Sequence, residues 1–261
     1  MEVESYQNGI PSWVDHSSAD PASATAFYGE LFGWDIETGP PEAGGYAMAM
    51  KNGRPVAGIG PTQGPGPAAW ASYVNVDSAD DTTAKAQAAG GRVMLAPMDV
   101  MEAGRLAVFS DPGGAVIGAW QPGAHKGAGL VNEVSTFSWT ELITGDIEGC
   151  KAFYRAVFGW EPDTHEQPGG PSYTEFKVGG RSVCGMMGRP PGMPAEAPSF
   201  WGVYFNVADT DAAVAEIQRL GGSLFMGPTD IPQGRFAVVA DPLGAVFNVI
   251  APPPPAPESS T

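Results

Sequence analysis

The chain has little of what builds a disulfide scaffold, a nucleic-acid surface or a membrane span. Its 261 residues include two cysteines, Cys150 and Cys184. They stand at non-equivalent places in the two halves of the sequence, so no disulfide framework is expected. Lys and Arg number 13 against 29 Asp and Glu, a net charge of −16. Phosphate binding needs clustered cations, so this balance argues against nucleic acid. It suits a cationic ligand, although solubility alone is the plainer reading. No apolar run approaches the roughly 20 residues of a spanning helix. The opening Met-Glu-Val-Glu lacks the basic and apolar regions of a signal peptide. Together these absences predict a cytoplasmic protein with no membrane partner.

Glycine and proline are plentiful instead, at 36 and 26 residues, which points to short elements joined by many turns. Hydrophobic residues make up 43% of the chain, enough for real cores. The chain also repeats itself. Ala26-Phe27-Tyr28 … Phe32-Gly33-Trp34 returns as Ala152-Phe153-Tyr154 … Phe158-Gly159-Trp160. Trp70, Tyr73 and Asn75 answer Trp201, Tyr204 and Asn206. Gly104-Arg105 … Asp111-Pro112 answers Gly234-Arg235 … Asp241-Pro242. A long-period repeat sets the architecture, and each candidate residue can be compared with its counterpart.

Within a half, an alternating strand at 12–18 precedes a helix opened by Asp20-Pro21 and closed by Gly33. Ala24, Phe27 and Leu31 are spaced as its buried stripe. Further short strands and a helix at about Asp80 to Ala89 follow. The expected fold class is α+β, as two tandem βαβββ-repeat modules with curved mixed sheets and helices packed outside. The first module covers 8–121 and the second 135–251. Residues 122–134 form a linker, and 252–261 a disordered Pro/Ser-rich tail.

Asp20, Phe27-Tyr28, Phe32-Gly33-Trp34, Val76-Asp77 and Asp111-Pro112-Gly113-Gly114 carry a resemblance. So do Asp146, Phe153-Tyr154, Phe158-Gly159-Trp160, Val207-Ala208-Asp209 and Asp241-Pro242-Leu243-Gly244. The chain resembles the vicinal-oxygen-chelate superfamily of glyoxalase I, extradiol dioxygenases and fosfomycin- and bleomycin-resistance proteins. It looks most like the two-module branch labelled 27 kDa antigen or hydroxylase. In metal-using members, the resemblance implies ligands at Trp13, Ala71 and Gly118 in the first module. In the second they would be Trp139, Gly202 and Asn248. Only Asn248 could offer an oxygen, whereas a catalytic Zn or Fe site needs about three His, Cys, Asp or Glu ligands. His16 is out of phase with Trp13 and reads as packing, and neither His125 nor His165 restores a ligand set. No metal and no other cofactor is predicted.

Strand parity places Trp13, Asp15, Tyr73, Asn75 and Trp120 on the inward face of the first module. It places Trp139, Glu141, Tyr204, Asn206 and Asn248 there in the second. Such walls suit a planar, partly hydrophobic ligand, aromatic or cationic, although the rings could equally fill a closed core. Asp15 and Glu141 are candidate proton-transfer groups, or else buried ion-pair partners of Arg105 and Arg235. Cys150 and Cys184 read as inert packing. Metal-free small-molecule binding is favoured slightly over cofactor-independent or flavin-partnered tailoring of an aromatic natural product. A metal-dependent glyoxalase or dioxygenase is a remote third reading. Enzymatic activity stays open, as does the choice between monomer and homodimer.

Overall fold

The computed structural model describes residues 1–62, 66–166 and 171–253. The first half contributes β1 (Pro11–Ser18), α1 (Pro21–Phe32), β2 (Asp35–Thr38), β3 (Ala47–Lys51) and β4 (Arg54–Pro61). It continues with β5 (Ala69–Asn75), α2 (Ala79–Ala88), β6 (Arg92–Val100), β7 (Gly104–Ser110) and β8 (Val116–Pro122). The second half opens with β9 (Phe137–Thr144), α3 (Ile147–Phe158), β10 (Glu161–His165), β11 (Tyr173–Val178) and β12 (Arg181–Gly188). It closes with β13 (Phe200–Asn206), α4 (Thr210–Arg219), β14 (Ser223–Ile231), β15 (Gly234–Ala240) and β16 (Val246–Ala251). The proposed tail at 252–261 falls outside the described residues from 254 onward.

Each half builds one eight-stranded mixed sheet, ordered β2-β3-β4-β1-β5-β8-β7-β6 and β10-β11-β12-β9-β13-β16-β15-β14. β1 and β5 run antiparallel at the centre, and each has a parallel neighbour, β4 or β8. Each sheet is thus two βαβββ units joined through their first strands. The short edge strands β2 and β10 were not read from the sequence, since at four and five residues with mostly exposed side chains they have no apolar alternation.

The helix signals work as sequence logic requires. The Asp20 carboxylate accepts the Ser23 N–H at 3.0 Å, and Gly33 ends α1 in the left-handed region at φ 65°. Asp146 and Gly159 do the same for α3. One stripe position differs from expectation. Leu31 is only half-buried, and Tyr28 occupies the core beside Ala24, Phe27 and Phe32. The reason is a polar partner across the module boundary. The Tyr28 hydroxyl donates to Asp241 Oδ2 at 3.0 Å and accepts the Trp70 indole N–H at 2.8 Å.

The second module returns the contact. Tyr154 donates to Asp111 Oδ2 at 2.9 Å and accepts from Trp201 at 2.9 Å. Hence the repeated Phe-Tyr, Trp and Asp-Pro motifs largely encode the docking of the two modules. His16 adds a buried link, with Nε2 2.8 Å from Asp241 Oδ2, which agrees with its reading as structural. One apolar cluster joins α1 and the β1–β4 region to α4 and the β13–β16 strands. The other joins α2 and the β5–β8 strands to α3 and the β9–β12 region. Cys150 and Cys184 are buried in this second cluster, and burial pushes the Cys150 thiol up to about 12. Both therefore stay protonated and inert. No helix among the described residues is long and apolar enough to cross a membrane.

Candidate functional site

Both sheets turn one face to the helices and the other away from them. On the outer face of the first sheet, two cross-strand rows lie side by side. One row is Met48–Gly58–Asp15–Ala71. The other is Trp13–Tyr73–Gly118–Val108–Leu95. The second sheet repeats them as Glu175–Gly185–Glu141–Gly202 and Trp139–Tyr204–Asn248–Val238–Met226.

The carboxylates anchor these rows. Asp15, which keeps part of its surface in solvent, accepts hydrogen bonds from Tyr73 and Tyr46. Glu141, 8% exposed, accepts from Tyr173 and from Tyr204, the latter at 3.1 Å. Burial pushes Asp15 up to about 7, against the lowering effect of its two phenols. Burial raises Glu141 in the same way. Each cluster is completed by an indole. Trp13 donates to the Tyr46 hydroxyl at 3.0 Å, and Trp139 donates to the Tyr173 hydroxyl at 3.0 Å. A carboxyl group near neutrality can take or give a proton at ordinary pH, so the arrangement is chemically competent for proton transfer.

The buried ion-pair alternative for these carboxylates is overturned. Arg105 pairs with Asp80 and Asp99, and Arg235 with Asp211 and Asp230, all at the surface. Those aspartates sit on α2, α4 and the edge strands, closer to the arginines than the sheet centre is.

The remaining candidates divide. Tyr73 and Tyr204 join the clusters. Trp120 is buried, and its N–H donates to the His125 carbonyl at 3.0 Å. Asn248 donates to the Val203 carbonyl at 3.2 Å. Asn75 is 4% exposed and its amide donates to the Tyr6 carbonyl at 3.0 Å, so it pins the N-terminal segment. Asn206 is buried at the equivalent place.

Three participants were missed. Tyr46 and Tyr173 stand over glycines, and only Gly58, Gly60 and Gly185 on that face hinted that a neighbouring ring needs floor space. His125 packs edge-on against Trp13 at 4.4 Å, and burial lowers it to about 4, so it is neutral. Its position in a linker gave no periodic signal.

Exposed apolar side chains make a shelf on the same sheet face as each carboxylate, toward the β6 or β14 edge. In the first module Leu95, Met98 and Val116 are 38%, 45% and 42% exposed. In the second, Met226 and Val246 are exposed likewise, and the Phe236 ring lies 6.4 Å from that of Tyr204. Two shallow depressions, about 350 and 370 Å³, include neither carboxylate nor the tyrosines that bind them, and Val116 lines the first.

The residues do not fit a catalytic metal. The Tyr73 ring lies where a side chain at Gly118 would be, 2.1 Å from the position of its absent Cβ. Ala71 and Gly202 have nothing to donate. Among the described residues, no three of His, Cys, Asp and Glu converge as an ion would require.

The model of the Glyoxalase/Bleomycin resistance protein/Dioxygenase superfamily matches residues 12–118 and 136–249. The chain belongs to this superfamily. It is 42% identical over 257 residues to the Mycobacterium tuberculosis protein named "Putative glyoxylase CFP32", covering 95% of this chain and 97% of that one. It is 37% identical over 259 residues to "Anthracycline biosynthesis protein DnrV" of Streptomyces peucetius, covering 93% of each. The Mn(II)-bound glyoxalase from Novosphingobium aromaticivorans shares its fold, with TM-score 0.65, 14% identity, and coverage of 94% of this chain and 82% of that one. A 2,2',3-trihydroxybiphenyl 1,2-dioxygenase from Sphingomonas wittichii also shares it, with TM-score 0.63, 16% identity, and coverage of 94% and 91%. At such identities the two structures speak for the fold alone.

Proposed function

We propose that the chain binds a planar, partly hydrophobic small molecule on its outer sheet faces, without a metal. One observation carries this reading: the same carboxylate, indole and phenol cluster occurs in both modules, each time on a sheet face that also carries an exposed apolar shelf. The cluster offers a hydrogen-bonding end and the shelf a flat apolar body. Replacement of all but one ligand position by Trp, Ala or Gly supports metal independence. The relative named for anthracycline biosynthesis fits the same ligand kind, since an anthracycline is a fused-ring hydroxyquinone. Each cluster is complete within one module, so a monomer or a homodimer would serve equally.

The test is a titration of chelator-treated protein with planar aromatic compounds, read by tryptophan fluorescence. Saturable quenching is expected, weakened when Asp15→Asn and Glu141→Gln are combined. Unchanged affinity in that double variant would remove the carboxylates from the site.

A second reading has its own support. Asp15 near neutrality is poised as a base for tailoring an aromatic natural product, with Glu141 in the same role. Mass spectrometry of the recovered ligand separates the two. A changed mass, lost in Asp15→Asn, indicates chemistry, and an unchanged mass indicates binding alone.

A further inference from the structure

We propose that Tyr46 and Tyr173 are removable plugs, and that the slots they fill take a phenolic ring of the ligand. This rests on the small-molecule reading above and narrows the ligand to planar hydroxyarenes.

Both rings lie in grooves made by missing side chains. The Tyr46 hydroxyl is 1.7 Å from where a Cβ on Gly58 would be, and its ring edge is 2.7 Å from the corresponding point on Gly60. The Tyr173 hydroxyl is 1.9 Å from that point on Gly185. A flat ring therefore rests directly on the strand backbone, with its oxygen aimed at a donor and an acceptor. The donor is the indole N–H of Trp13 or Trp139, at 3.0 Å in each module. The acceptor is Asp15 or Glu141. A neutral phenol offers one acceptor oxygen and one O–H donor, which matches this pair. The slots thus recognise a phenol, and in this structure the phenol belongs to the protein.

The Tyr46 backbone is held, its N–H by the Ala43 carbonyl at 3.1 Å and its carbonyl by the Gly39 N–H at 2.9 Å, so the ring leaves its slot by rotation about its own side-chain bonds. Tyr46 follows Gly44 and Gly45, both left-handed at φ 62° and 90°, and directly precedes β3, which starts at Ala47. Tyr173 is the first residue of β11. It is paired with His165 on one side and Met187 on the other, so its ring too leaves only by side-chain rotation.

A plug and a wall respond oppositely to removal. Calorimetric titration of the full chain with 2-naphthol and its methyl ether, 2-methoxynaphthalene, separates them. The wild-type protein is expected to bind 2-naphthol at least tenfold more tightly than the ether. Tyr46→Ala and Tyr173→Ala should each tighten 2-naphthol at least fivefold at the emptied slot. Tyr46→Phe and Tyr173→Phe keep the ring but lose its anchoring hydroxyl, so they should tighten it by a smaller factor and guard against misfolding of the alanine variants. Equal affinity for the two probes, or weaker binding in the variants, overturns the plug while leaving an aromatic-binding protein. Absence of binding by both probes in every folded variant overturns both readings.

Discussion

Asp15→Asn should make the protein more stable at alkaline pH and leave it nearly unchanged in acid. In the fold the Asp15 carboxyl titrates at about 7, against an ordinary aspartate value of 3.8. The unfolded chain therefore releases this proton roughly three pH units earlier. The group's contribution to stability is fully present below about pH 4. It is lost progressively as pH rises through 7 and stays lost above that. At about 1.4 kcal/mol per pH unit the full span corresponds to ~4 kcal/mol. Asp15 keeps some contact with solvent, which screens the effect to ~2 kcal/mol. Between pH 5 and pH 8 the wild-type protein should lose about 1.5 kcal/mol relative to Asp15→Asn. Urea unfolding of both proteins at the two pH values measures this, because every other titrating group cancels in the difference. A gap that does not change with pH, or that favours wild type at pH 8, would show an ionised and stabilising Asp15, and the argument from burial would fail.

The remaining expectations are simpler. Tyr28→Phe and Tyr154→Phe each remove a phenol from a buried carboxylate at the module boundary. Each should cost about 1.5–3 kcal/mol in urea unfolding, whereas an exposed tyrosine would cost almost nothing. His16→Leu installs the residue found at the equivalent place, Leu142, but strips Asp241 of a partner at 2.8 Å. It should destabilise by about 1–3 kcal/mol, and neutrality would show that the contact is incidental. Gly118→Ala drives a methyl into the Tyr73 ring, so unfolding should shift by about 1–3 kcal/mol and aromatic ligand affinity should fall. Arg105→Ala breaks only surface pairs, so a stability change under ~1 kcal/mol with unaltered ligand affinity is expected.

What was legible in the chain was whatever periodicity, capping and repetition record. The α+β class, the duplicated βαβββ plan and the α1 boundaries follow from Asp-Pro and Gly signals and from the echo between halves. Strand parity also brought Trp13 and Asp15, and Trp139 and Glu141, to a common face, and the hydrogen bonds to Tyr46 and Tyr173 show each pair meeting there. The partners of those residues were not legible. Tyr46 arrives after a glycine turn and crosses β4 to reach Asp15, a contact set by ring reach and not by sequence spacing. Arg105 looked like an inward partner because it repeats as Arg235. The repeat in fact preserves a surface pairing with Asp80 and Asp211, in the first turn of the neighbouring helix. Asn75 shows the same limit: it shares the face of Tyr73, but the N-terminal segment covers it. Repetition marks what the fold needs as well as what a ligand needs, and here the Phe-Tyr, Trp and Asp-Pro motifs serve the fold.

The most direct measurement is calorimetric titration of 2-naphthol into chelator-stripped protein, with elemental analysis of the same sample. Saturable binding in metal-free protein, unaltered when Mn, Zn, Fe or Ni is added back, is the predicted result. Binding that appears only after one of those ions is restored would contradict the account.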